Sequence, residues 1–584
     1  MVLMAISNRI STSKSQRYPT SLVAHLTKPI IKYLGKFAGR IRDFVMPPGS
    51  RIGRILHGPD SSPSTYLFSS WLFPRLIGVV TLVAFLSFWT QYEGLIGTEG
   101  ILPFDKDLKA IADHCESNPD SPARNLLRPT LLWFWTNPDN AALLTLFIFG
   151  TIACLLTTAG ITTPLSLATA WICYLSLYTV GGPFLRFQWD ILLLETLFLM
   201  VIACKWTRWN RLNKGQQFPP IGRWLLWLLL FKIMFESGLV KLTYFGAEKE
   251  NAWRDLTALR YHYWTQPIPA WTSWHIHHLP EWFDRLSLRL MLVVELVLPF
   301  LFFLPRRLRH TAALSQVSLQ ILIIFSGNYG YFNLLTIVLC IPLFDDQCLP
   351  NWIRNKISKP RYLNRKIDNI LQRIQLVPLI TLAAIYIWMG KGFLEKDFAG
   401  NQALPQTDAK PDPPEWQRDL KQRARLLHIA NSYGLFRVMT TTRPEIEISG
   451  SNDGLDWKSY TFRWKPGQTD RQPGFFFPHM PRLDWQMWFA GLRIESATFQ
   501  RGSPTWFVHF INALMEQRPE VLALLEENPF PDEPPRQLRL RLHHYNFTTA
   551  AERRDTGKWW NRQLLDQYTI TIPVRQNSSA PSPQ

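Results

Sequence analysis

Apolar residues in the first two thirds of the chain gather into long runs broken by short polar stretches, whereas beyond about residue 390 they alternate with polar residues or recur at helical spacing. Runs of a length suited to roughly 30 Å of hydrocarbon fall at 71–89, 141–158, 164–180, 191–204, 224–239, 288–304, 312–326, 331–344 and 376–388. They predict nine spans, of which 331–344 is the shortest. A Pro-, Asp-, Gln- and Ala-rich linker follows at 399–414. The segments 444–449 and 457–464 have the period of two expected of strands and are joined across the turn signal Ser451-Asn-Asp-Gly454. The aromatic-rich stretch 437–492 as a whole reads as strand-patterned. Residues 505–527 are helical in pattern, with Phe507, Phe510, Leu514, Val521 and Leu525 near one face. After the proline-rich break at 528–535, strand patterning resumes at 537–547 and 568–572. The expected fold is a membrane α-helical bundle of about nine spans followed by a mainly β soluble domain with helical inserts. Its expected divisions are a basic amphipathic segment (1–70), a polytopic domain (71–391), a linker (392–418), a β-rich domain (419–575) and a disordered tail (576–584).

Charge gives this division a direction. Residues 1–70 hold ten Lys/Arg against Asp43 and Asp60, whereas 91–140 hold four against eight acids. The stretch 205–223 has five basic residues and no acid, the link at Arg306, Arg307 and Arg309 is wholly basic, and 345–374 has seven basic to three acidic. By the positive-inside rule these basic segments face the cytoplasm, as does the N-terminus. The tail from 392, with 24 basic and 22 acidic residues, falls on the opposite side, lumenal or periplasmic. Almost all of the formal net charge of +19 therefore sits against the cytoplasmic leaflet, where lipid headgroups attract it, so the high charge does not point to nucleic acid.

The N-terminus lacks the short apolar core and cleavage site of a signal peptide. Leu22, Leu26, Ile30, Leu34, Phe37, Ile41 and Val45 instead recur at helical spacing, which fits an interfacial helix or, with no acid before Asp43, an organelle transit peptide. Of six cysteines, Cys154, Cys173, Cys204 and Cys340 lie in spans, Cys348 in a cytoplasmic loop and Cys115 alone outside. Structural disulfides are not expected, and the lack of a Cys-x-x-Cys argues against thiol redox chemistry.

Charges within spans are costly and tend to be functional. They are Arg75, Asp190, Glu195, Lys232, Glu236, Lys241, Arg289 and Glu295. Lys232 and Glu236, four apart, are expected to pair, with Lys241 reaching the outer interface. The sharper alternative makes a buried lysine a base, with Lys241 the one catalytic candidate. His262, His275, His277 and His278 sit among aromatics in one outer loop, a pattern met more often in an interfacial belt than in a metal site, and no metal or other cofactor is expected. In the soluble domain no nucleophile elbow, zinc-protease or phosphate-loop motif occurs. Arg443, Glu445, Arg482 and Asp484 fit either a polar site or structural ion pairs, and Trp485, Trp488 and Phe489 fit either a core or client-binding anchors.

Together these segments resemble the lipase maturation factor family. The likeness runs through Phe187-Gln-Trp-Asp-Ile-Leu-Leu-Leu-Glu195, Phe235-Glu-Ser-Gly-Leu-Val-Lys-Leu242, Trp253-Arg-Asp-Leu-Thr-Ala-Leu259, Asn431-Ser-Tyr-Gly434, Lys465-Pro-Gly467, Arg482-Leu-Asp-Trp-Gln-Met-Trp-Phe-Ala490 and Gly557-Lys-Trp-Trp560, across about residues 70–575. The resemblance implies an integral membrane protein that assists folding or assembly of exported clients, secreted lipases among them, without an established reaction. It implies residence in the endoplasmic reticulum membrane in a eukaryote, or the inner membrane in a bacterium. Asn431, Tyr433, Arg443, Arg482, Asp484, Trp485 and Trp488 are then client-binding or structural candidates. The chain departs from relatives in having no cysteine in the soluble domain and in ending soon after Pro573. Ser237-Gly-Leu-Val-Lys-Leu242 followed by Trp253 is also similar to a motif of vitamin K-dependent carboxylase-like membrane proteins. That weaker likeness implies the alternative of a membrane-embedded enzyme with Lys241 as base.

Overall fold

The computed structural model describes residues 64–212, 217–246, 250–357, 365–401 and 414–571. The expected N-terminal amphipathic helix, the middle of the linker and the C-terminal tail lie outside the described residues. Contacts divide the chain into two units. One, Ser64–Leu304 with Leu308–Gln584, contains the bundle and the sheet; of the other, Met1–Pro63 with Pro305–Arg307, only the last three residues are described, where the chain enters a helix.

The N-terminal region is helical. In chain order its principal helices are α1 (Leu67–Trp89), α2 (Asn140–Ala159), α3 (Thr163–Val180), α4 (Gln188–Ala203), α5 (Pro220–Thr243), α6 (Ala258–Thr265), α7 (Glu281–Leu296), α8 (Arg306–Ser326), α9 (Phe332–Leu339) and α10 (Arg365–Ala399). Each of the nine apolar runs falls on helix, yet among the described residues only four helical stretches are long and apolar enough to cross a membrane: Leu67–Trp89, Asn140–Ala159, Glu281–Phe303 and Arg306–Ser326. The others are shorter or carry polar side chains. Helix α9 has 8 residues, and α4 places Asp190 and Glu195 inside the bundle at full burial.

Local chemistry fixes the helix ends. The Asp346 carboxylate accepts from Leu67 N and Phe68 N at 2.8 and 2.9 Å, capping α1 from 279 residues away and placing negative charge at its positive end. Asp139 accepts from Ala142 N at the start of α2, and Gly160, at φ 78°, closes it in the left-handed conformation that glycine adopts without steric cost. Aromatic rings fill the space between α1, α2 and α3: Phe85 stands edge-on to Tyr174 at 5.3 Å, and Phe88 lies 5.5 Å from Phe147.

Beyond helix α11 (Glu415–Leu426), the C-terminal region folds around a small antiparallel sheet of β1 (Pro444–Ser451), β2 (Lys458–Ser459), β3 (Gln537–Phe547) and β4 (Trp560–Thr571), in the order β2-β1-β3-β4. The turn at Ser451–Gly454 joins β1 to β2 as expected, held by Asp453 Oδ1 accepting from Leu455 N and Asp456 N. Two expectations fail here. The strand expected over 457–464 is reduced to Lys458–Ser459, because Thr461 turns its backbone to Glu526 and Glu527, and beyond it the amides of Trp464 and Lys465 donate to the Asp484 carboxylate at 2.9 Å. The supposedly strand-patterned end of 437–492 is instead helix α12 (Arg482–Glu495), which buries Leu483, Met487, Ala490, Gly491 and Ile494 at helical spacing. With α13 (Thr505–Met515) and several shorter helices, the region is an α+β domain and not a mainly β one. Helix α12 lies directly on β1: a Cβ at Gly491 would come 2.4 Å from the Pro444 carbonyl oxygen.

Candidate functional site

Two of the acids buried in the bundle, Asp190 and Glu195, are met in part from the C-terminal domain. Asp190 opens α4, and Arg482 opens α12. Both are fully buried and form a bidentate pair, Nη1 to Oδ2 at 2.9 Å and Nη2 to Oδ1 at 2.8 Å. The hydroxyls of Tyr174 and Tyr331 also donate to Asp190 Oδ1, at 2.6 and 2.7 Å, and Arg482 Nη1 donates to the Phe184 carbonyl at 2.7 Å. With so many donors, a carboxylate and a guanidinium keep hydrogen bonds in place of water, which buried charges require.

A second junction lies further along α4. Glu195 Oε1 accepts from Lys232 Nζ at 2.8 Å and Tyr386 Oη at 2.6 Å. Its Oε2 accepts from Asn431 N (2.9 Å), Asn431 Nδ2 (2.6 Å) and Tyr433 Oη (2.8 Å). The segment around residues 431–434 thus enters the helix bundle. Tyr433 N donates to Glu236 Oε2 at 2.8 Å, and Gly434 N donates to Gln188 Oε1 at 3.0 Å. The expected Lys232–Glu236 pair is therefore corrected. The lysine turns to the carboxylate on the neighbouring helix, and Glu236 accepts a backbone amide.

Lys241 was expected at the outer interface, but it is buried against Glu295, with Nζ 2.9 and 2.7 Å from the two carboxylate oxygens and 3.2 Å from the Ser237 carbonyl. Three acceptors match the three donors of an ammonium group. Trp253 lies beside it, with the ring centroid at 5.4 Å.

Arg443, just ahead of β1, reaches the end of α6 and the loop that follows it. It donates to the carbonyls of Trp264 and Pro267, each at 2.8 Å, and to that of Gln266, while pairing with Glu445 at 2.8 Å. Lys465 holds the other Glu445 oxygen at 2.9 Å. Burial raises the Asp484 carboxyl above its ordinary range, opposed by the two amides it accepts from. Trp485 packs edge-on against Trp189 at 4.9 Å, and Trp488 donates to the Thr265 carbonyl at 2.8 Å. Only Phe489 of this aromatic trio is exposed, at 43%. His262 contacts the Tyr329 hydroxyl at 2.9 Å, and burial lowers its pKa to about 4. Among the described residues, no three His, Cys, Asp or Glu side chains converge as metal ligands.

Tyr174, Tyr331 and Tyr386 complete the two junctions without standing out in the sequence, and Gln188 does so from within the Phe187–Glu195 motif. Their one signal is the excess of acid on α4, which no cation on that helix offsets. Contacts also sort by helix end. The C-terminal domain bonds Ser87 in the last turn of α1, Gln91 just after it, Phe184 after α3, and Asn328 after α8. The opposite helix ends bond one another: Arg309 and Ser64 to Asp345, Trp227 to the Pro342 carbonyl, and Arg75 to the Asn210 carbonyl.

An apolar helical bundle in which a C-terminal α+β domain supplies the counter-ion of Asp190 and further hydrogen bonds to Glu195 and Glu236 defines a polytopic membrane protein whose two parts are packed together. The chain belongs to the lipase maturation factor family: residues 68–351 match the lipase maturation factor transmembrane domain, and 429–570 match the lipase maturation factor C-terminal domain. It is 33% identical to lipase maturation factor 2 of Rattus norvegicus over 86% of this chain and 83% of that protein. It is 30% identical to lipase maturation factor 1 of Mus musculus over 89% of this chain and 93% of that protein. No solved structure matches it.

Proposed function

We propose that this protein is a membrane maturation factor that helps exported proteins, secreted lipases among them, reach their active form, with the C-terminal domain as the part that meets the client outside the cytoplasm. The observation that carries this reading is that both family domains are present and are bonded through buried charges, so the C-terminal domain is held in one orientation on the bundle. Asn431, Tyr433, Arg443, Arg482, Asp484, Trp485 and Trp488 then serve as positioning residues. Client contact falls to exposed neighbours such as Phe489.

The sorting of contacts by helix end supports nine crossings. The loops that bond the C-terminal domain lie at the set of helix ends that includes the acidic loop 91–140, and the basic loops meet at the other. Residence in the endoplasmic reticulum, or in a bacterial inner membrane, rests on the family likeness. A maturation role is favoured over a lysine-base enzyme because a base needs an unshared nitrogen lone pair, whereas Lys241 has three acceptors around an ammonium group.

Deleting the protein should leave client transcript and synthesis unchanged and lower the active, secreted client. Equal secreted activity across candidate lipases in the deletion strain would remove the lipase assignment. Lys241→Glu with Glu295→Lys, which keeps a pair but moves the nitrogen, should preserve maturation; loss of maturation in a stably inserted double variant would favour the enzyme.

A further inference from the structure

We propose that a cationic cleft at the outer end of α3 binds the phosphate of an anionic phospholipid head group. The cleft has a volume of about 680 Å³ and lies between α11, the end of α3 and the loop before α2. Its cations are Arg128, Arg186, Arg418, Lys421 and Arg425, and no Asp or Glu lines it. Arg128 is already paired with Asp107 at 3.1 Å, but the other four have no ion-pair partner among the described residues. Arg418, Lys421 and Arg425 recur at three- and four-residue spacing on α11, so one helix face points three cations at the same space. Four unshared cations around a concavity favour an anion that carries its own charge into the site.

The cleft is not wholly polar. Leu127, Pro129, Tyr178 and Leu426 form its apolar walls, and Tyr178 belongs to the last turn of α3, inside the segment that matches the family's transmembrane domain. A soluble phosphate has no use for those walls, whereas the glycerol and first methylenes of a lipid do. Large exposed rings flank the cleft residues in sequence: Trp416, two residues before Arg418, is 64% exposed, and Phe134, six after Arg128, is 84% exposed. Aromatic rings beside cations are what a membrane interface selects. His428 lies in the wall with its pKa lowered by burial and donates no charge at neutral pH, while its Nδ1 contacts Asn431 Oδ1 at 3.0 Å. The cleft thus adjoins the Glu195 junction. This site does not depend on the maturation role, and its test uses no client.

The full-length protein, purified and placed in phosphatidylcholine bilayers with or without phosphatidylglycerol, is to be assayed for lipid retained through detergent exchange by native mass spectrometry. Phosphatidylglycerol should be retained over phosphatidylcholine, and soluble glycerol 3-phosphate should fail to displace it. The triple change Arg418→Ala, Lys421→Ala, Arg425→Ala should weaken retention on the order of 100-fold, from about fivefold per interfacial cation. Arg423→Ala, which removes a guanidinium already paired with Asp419, should leave retention unchanged and serves as the folding control. Equal retention of the two lipids, or a triple variant that folds and still retains phosphatidylglycerol, overturns the proposal. Displacement by glycerol 3-phosphate overturns the lipid assignment in favour of a soluble phosphate ligand.

Discussion

Arg482 illustrates how much one buried side chain can carry. It satisfies Asp190 with two short bonds and is itself fully enclosed, so removing it leaves an acid without its counter-ion. Arg482→Ala should cost about 3–5 kcal/mol of stability, read as a drop in the thermal unfolding midpoint in detergent and earlier proteolysis of the C-terminal domain. Pairing it with Asp190→Asn should recover part of the loss, since the lone charge is then gone. If the double variant is no more stable than the single one, the pair is not what the arginine contributes. Acid acts on the same neighbourhood. Burial, helped by Arg482 and Arg463, lowers His479 from an ordinary 6.5 to about 4, and its Nδ1 lies 3.1 Å from Ser87 Oγ. The unfolded chain takes up the proton first, so the contribution of neutral His479 is complete above 6.5 and shrinks as pH falls from there towards 4. An unfolding midpoint measured between neutral pH and pH 4.5 should decline, and His479→Gln should flatten part of that decline; an unchanged slope counts against it.

At the scale of elements, periodicity identified β1, β3 (whose buried positions alternate) and the first part of the helix expected over 505–527, which ends at Met515 and is followed only by a short turn of helix at Pro519–Leu522. It failed at 482–495 for a physical reason. Positions 485, 488 and 489 stand at helical spacing, a signal masked when the whole aromatic stretch is read as strand, and α12 packs on the β1 backbone closely enough that position 491 takes a residue without a side chain. Gly491→Ala should therefore push α12 away from β1, at about 1–3 kcal/mol for overpacking. Hydrogen exchange should show it as faster exchange in β1 and α12 with the transmembrane helices unaffected; protection equal to wild type would mean that the contact yields at no cost. The short β2 likewise reflects tertiary contacts, because Thr461 pairs with Glu527 and Asp484 takes the amides of Trp464 and Lys465.

For the whole molecule, sidedness can be read with cysteines that the chain already has. Cys115 lies in the acidic loop after α1 and is partly exposed, while Cys348 is exposed in the loop after α9; the remaining four are buried. A membrane-impermeant maleimide applied from the extracytoplasmic side should label Cys115 and leave Cys348 unlabelled until the membrane is opened. Labelling of Cys348 first would reverse the assignment, and labelling of both would break the nine-span count.

The order of hydrophobic runs, the alternation of loop charge and the turn at 451–454 follow from sequence alone, because each depends on residues adjacent in the chain or on water and lipid as solvents. The family likeness was legible for the same reason, since its motifs are contiguous. Partner choice was not. Lys232 had two acids within reach of any reasonable helix, and Lys241 had a long arm that could have met solvent; packing gave the first to Glu195 and the second to Glu295. The Asn431 and Tyr433 bonds to Glu195 join positions more than 230 residues apart, and no local pattern encodes them. Sequence determined which segments form apolar helices and which charges they bring. Tertiary structure alone decided which charges meet, because a buried ion is stable only beside a partner whose position the whole fold must supply.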